Sequence, residues 1–102
     1  MDRFIQYVTE LKLHIIHIVE REMESLVVLD VDKFRELQNI EGQLLVLLND
    51  ACSVIRQDLA ILHRGDHDAI ARLSSVCIEF DKCLAAKHDA IGLLQRCMQG
   101  YI

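Results

Sequence analysis

The sequence predicts an all-α fold, on three observations. Its 102 residues contain no proline and only four glycines, so almost nothing interrupts a helix. Apolar residues recur at steps of three and four along nearly the whole chain, the spacing that lines one face of a helix. The two lapses in that rhythm resemble each other. "LVVLDVDKF", residues 26–34, aligns with "LHRGDHDAI", residues 62–70, at an offset of 36, matching Leu26 to Leu62, Asp30 to Asp66, Asp32 to Asp68 and Phe34 to Ile70. A repeated Asp-x-Asp between apolar runs marks a chain reversal and a new helix start, because aspartate caps the free N–H groups of a first turn. The expected architecture is three long antiparallel helices, approximately 2–29, 32–63 and 66–99, in a single coiled-coil-like helical-bundle domain over residues 1–102.

In the first helix Phe4, Val8, Leu11, Ile15 and Ile18 step by four and three, and the stripe then shifts to Val19, Met23 and Leu26. The second carries three lines spaced by sevens: Leu37, Leu44 and Ala51; Leu48, Ile55 and Leu62; Ile40, Leu47, Val54 and Ile61. Its apolar arc is therefore wide. The third is the most regular, with Ile70, Cys77, Leu84, Ile91 and Met98 in one heptad line and Leu73, Phe80, Lys87, Leu94 and Tyr101 in the next. That is the a/d spacing of coiled coils. Beside them Ala69, Val76, Cys83, Ala90 and Cys97 offer small side chains that permit close approach. Lys87 alone breaks the pattern, and is expected to snorkel at the bundle edge with its ammonium in water. At the second reversal Gly65 is expected to take a left-handed C-cap conformation and Asp66 to cap the third helix. A tetratricopeptide array has a period of about 34 residues, but each of its units holds two short helices. Here one uninterrupted helix fills nearly the whole period.

Net charge is −5, and the basic residues are scattered rather than gathered on one face, which argues against nucleic acid as a partner. The N-terminal stretch MDRFIQYVTELKLHIIHIVERE mixes acids and histidines into its apolar run, so it reads neither as a signal peptide nor as a membrane span. A cytoplasmic location is expected. Cys52, Cys77, Cys83 and Cys97 form no C-x-x-C pair and all fall in apolar helical lines, so they are expected to be reduced and packed.

Several groups could carry chemistry. His63, Asp66, His67 and Asp68 crowd one turn beside Gly65, where they could converge on a metal ion. The equivalent turn "LDVDKF" is made without histidines, so helix capping accounts for its aspartates and no metal is expected there. Glu10, His14 and His17, continued by Glu20 and Glu24, share a helix face at ligand spacing. A four-helix carboxylate site would need Glu-x-x-His on two helices with further glutamates on two others, neither later helix supplies that motif, and a solvated polar face is the simpler reading. His88 is not followed by the Lys-Gly pair of a phosphoacceptor helix, and no glycine-rich phosphate loop or nucleophile elbow occurs. "RGD" at 64–66 is read as a turn tripeptide. No enzymatic activity and no cofactor are expected.

What remains is surplus apolar surface. Three helices with arcs this wide cannot all bury them within one small chain, so the protein either self-associates as a homo-oligomer or holds another protein's helix. The face expected to do so is that of the third helix at Ile91, Leu94, Met98 and Tyr101, where the heptad lines run past the cover of the other two. A flexible methionine and an amphipathic tyrosine suit an adaptable interface. The alternative is that these four complete the intramolecular core.

The segment "EREMESLVVLDVDKFRELQNIEGQLLVLL", residues 20–48, resembles the helical hairpin of bacterial flagellar type III export chaperones of the FlgN and FliT kind, within a resemblance spanning residues 2–63. The resemblance implies a small, acidic, cytoplasmic all-α protein without catalytic residues. It would shield an amphipathic, polymerisation-prone terminus of a secreted client, using its C-terminal helix as the docking surface. A self-associating structural or adaptor bundle is the competing class.

Overall fold

A computed structural model describes residues 2–99. All the regular structure among them is helical: α1 (Asp2–Val27), α2 (Val31–Gln57), α3 (Ala60–Arg64) and α4 (His67–Gln99). The rods form a bundle 56 × 22 × 20 Å, with a radius of gyration of 16.4 Å. A compact chain of this length would have roughly 13 Å, so the molecule is only about two helices thick and has little interior.

The first helix is the central rod, packed against α2 on one flank and α4 on the other, while α2 and α4 hardly approach each other. That role follows from its stripe: Ile5, Val8, Leu11, Ile15, Ile18 and Val19 are all buried, covering an arc wide enough for two neighbours. Leu48 and Ala51 of α2, Ile61 of α3 and Leu73 and Phe80 of α4 complete the core cluster. Thr9 and Ser25 are buried on α1 by returning their hydroxyls to the carbonyls of Ile5 and Arg21.

The α1–α2 reversal is a Schellman cap. Asp30 N–H donates to Ser25 O at 2.9 Å and Leu29 N–H to Leu26 O at 3.1 Å, with Leu29 in the left-handed region at φ 59°. Asp30 then starts α2, its carboxylate accepting from Lys33 N–H at 3.1 Å.

The structure corrects the sequence reading at the second reversal. The second helix does not run unbroken to 63: it ends at Gln57, and Ala60–Arg64 form a separate turn of helix. Asp58 makes the break, its carboxylate accepting from Ala60 N–H at 3.2 Å and from the Arg64 guanidinium at 3.0 Å. The consequence is rotational. In the line Ile40, Leu47, Val54, Ile61 the first three are exposed, and only the break turns Ile61 into the core. Gly65 is also not left-handed; at φ −75°, ψ 157° it is extended. Space there is tight as well: an added Cβ would meet the terminal methyl groups of Ile5 and Ile70, and the buried Ile5 side chain would have to shift.

Candidate functional site

Two features of α4 define the region of interest: a buried charge and the exposed helix that follows it. Leu73, Val76, Phe80 and Lys87 are its buried residues, and none beyond Lys87 is buried among those described. Lys87 does not snorkel. It donates to Glu22 Oε2 of α1 at 3.1 Å and, at still closer range, to Glu41 Oε1 of α2, with the Phe34 ring centroid 5.8 Å away. Its position in an apolar heptad line points it into the core, and two acids placed there by α1 and α2 compensate the charge. Neither acid stood out in the sequence, because each sits singly among helical charges.

The cluster holds two carboxyls against one ammonium. Burial pushes the Glu22 carboxyl up to about 7, the adjacent Glu41 carboxylate adds to that push, and Lys87 only partly opposes it. Glu22 Oε1 is buried with no hydrogen-bond partner among the described residues. Burial alone would lower the Lys87 pKa, but the hydrogen bonds and charges of Glu41 and Glu22 outweigh it and raise it. The Cys83 thiol, donating to Ile16 O at 3.9 Å, is raised by burial and then by Glu20, Glu41 and Glu22.

Lys87 lies against Glu22, five residues before α1 ends at Val27, and α4 runs parallel to α1. At 1.5 Å per residue α4 therefore clears the end of α1 at about residue 92 and projects for roughly 10 Å. The expected face is placed there: Ile91 is half-buried at the margin, while Leu94 and Met98 are exposed, Met98 at 68%. Leu93 joins them; Tyr101 lies outside the described residues.

The sequence reading missed the other half of this surface. Val27, Val28 and Leu29, between 71 and 83% exposed, and Val31 cap the same end of the rod. They read as a turn because Asp30 and Asp32 stand among them; four large aliphatics in five positions at a reversal was the available signal. Leu29 sharpens the point. A leucine in the left-handed region costs about 1 kcal/mol, and this one gains nothing from burial.

The candidate metal ligands lie elsewhere. Glu10, His14, His17, Glu20 and Glu24 are exposed on the outer face of α1, and His63, Asp66, His67 and Asp68 are exposed around the second reversal. No group of three or more His, Cys, Asp or Glu side chains among the described residues converges to hold a metal. Cys52, Cys77 and Cys83 are half-buried free thiols, whereas Cys97, expected to be packed, is exposed on the projecting end of α4. No helix among the described residues is long and apolar enough to cross a membrane. No family description, curated protein or solved structure matches this chain.

Proposed function

We propose that the protein is a non-enzymatic helical binding module whose apolar end covers an amphipathic helix of a protein partner. The observation that carries this reading is the gathering of Leu93, Leu94 and Met98 with Val27, Val28, Leu29 and Val31 at one end of the rod, beyond the last buried residue of α4. Exposed apolar groups gathered in this way mark interaction surfaces. The resemblance of residues 20–48 to flagellar export chaperones gives the finer form: a cytoplasmic chaperone that shields a terminal amphipathic helix of a secreted type III client until delivery. Self-association through the same end is the second reading, favoured by the heptad lines that continue along α4 to Leu94 and Met98.

The test is the double variant Leu94→Asp/Met98→Asp. Because both residues project beyond the core, helical circular dichroism and the thermal midpoint should stay unchanged. Binding of synthetic terminal helices from filament-junction and cap proteins should be lost. A wild-type dimer that becomes a monomer in the variant would assign the surface to a second copy instead. A variant that unfolds would show that the face is core, and one that binds as before would move the site elsewhere.

A further inference from the structure

The Glu22–Glu41–Lys87 cluster stands at the point where α4 loses its support. Phe80 and Lys87 are the last two buried residues of α4 among those described, and beyond Lys87 only Ala90, Ile91 and Gly92 are even half-buried. Lys87 is therefore the last firm tie of the helix, holding α1 through Glu22 and α2 through Glu41. Released from that tie, residues 85–99 are a helix of about 15 residues with nothing to pack on, a length at which an isolated helix is marginal in water. Gly92 weakens the stretch further. Glycine is the poorest helix former after proline, and packing does not call for one here, since an added Cβ would meet no atom within 4 Å.

The tie carries an unbalanced charge. Two acids face one ammonium, so the buried cluster is neutral with Glu22 protonated and holds a net negative charge with Glu22 ionised. Glu22 is 0% exposed and its Oε1 has no partner among the described residues, so neither water nor a second donor answers that charge. The groups facing it are Glu41 from α2, and Lys87 and the Cys83 thiol from α4, with Glu20 of α1 acting on Cys83. Lys87 and Cys83 both have raised pKa values, so one stays an ammonium and the other a thiol at neutral pH. The short α3 stands at the opposite end of α1, where Gly65 after it approaches Ile5. We propose that the cluster is a proton-controlled latch on α4: with Glu22 protonated the helix stays docked and wound past Lys87, and with Glu22 ionised the segment beyond Leu84 leaves α1 and unwinds. Unwinding returns Glu22 to water, which is why loss of the proton favours the open form. Leu93, Leu94 and Met98 ride on this segment, so the latch decides whether they stand on a helix beside Val27, Val28 and Leu29. That consequence for binding rests on the function proposed above; the unwinding itself does not, and its test uses the free chain.

Native-state hydrogen exchange reads the latch at the amides of residues 88–91, whose helical hydrogen bonds run to the carbonyls of residues 84–87. Their protection should fall roughly tenfold between pH 6 and pH 8, beyond the ordinary rise in exchange rate, as a carboxyl that titrates at about 7 when docked and near 4.5 when released requires. Low urea should barely change it, because the opening exposes little surface, whereas the amides of residues 73–80 should be better protected and strongly urea-dependent. Glu22→Gln should abolish the fall. Glu41→Gln should shrink it by leaving Glu22 and Lys87 as a balanced pair, and it keeps the test decisive if the first variant disturbs the bundle. Protection at residues 88–91 that does not change with pH, a fall of full size in either variant, or one protection and one urea dependence shared with residues 73–80 would each overturn the inference.

Discussion

Lys87 of α4 reaches Glu22 of α1 at 3.1 Å inside the bundle, and through its second partner, Glu41, links α4 to α2, two helices that otherwise hardly meet. Truncation should expose what that link does. Lys87→Ala leaves two buried carboxyls without a cation and should cost about 3–5 kcal/mol, a large share of the roughly 5–15 kcal/mol that holds a small domain together. The apolar triple Glu22→Leu/Glu41→Leu/Lys87→Met should recover most of it, since all three desolvation costs disappear together. Urea melts of the three proteins check this, and a Lys87→Ala variant as stable as wild type would contradict the buried cluster.

The same cluster makes stability depend on pH. Glu22 titrates near 4.5 when unfolded and at about 7 when folded, so between those values the folded state holds the extra proton. Its contribution is fully present below pH 4.5, falls as pH rises to 7 and is absent above, by roughly 3 kcal/mol in all. Glu22→Gln mimics the protonated form, and should flatten this dependence and exceed wild type in stability at pH 8. Parallel stability curves for the two proteins from pH 5 to 8 would show that Glu22 is not the titrating group.

Leu29 tests whether the exposed end is kept for folding or for binding. Glycine accepts φ 59° without strain, so Leu29→Gly should leave stability unchanged or raise it by up to about 1 kcal/mol. Partner binding should weaken. A clear loss of stability would mean that the leucine side chain supports the turn after all.

Thiol reactivity should divide the cysteines three to one. Cys97, exposed beyond the bundle, should label first, and Cys83 should be slowest because its raised pKa keeps it a thiol and Ile16 O accepts its hydrogen bond. Mass spectrometry after brief labelling reads the order. Uniform rates in native protein would contradict the packing of α4.

What the sequence determined by itself was local. The absence of proline, the three-and-four apolar steps and the two Asp-x-Asp reversals were enough for helices and for their antiparallel order, because capping and amphipathicity act over one or two turns. The heptad lines of α4 likewise placed Leu94 and Met98 on a single face. The tertiary structure decided everything that depends on where one helix stands against another. A lysine in an apolar line can snorkel or be buried, and the choice depends on whether acids from distant segments arrive beside it; Glu22 and Glu41 do, 65 and 46 residues away. Periodicity ran Ile61 into the line of Val54, and the Asp58 break separated them because packing rewarded the inward turn. Gly65 is extended rather than left-handed, and the close approach of the Ile5 methyl group to it is something only the packing of α1 could reveal. The apolar end is the clearest case: Val28 and Met98 lie 70 residues apart, and only the parallel course of α1 and α4 brings their helix ends together.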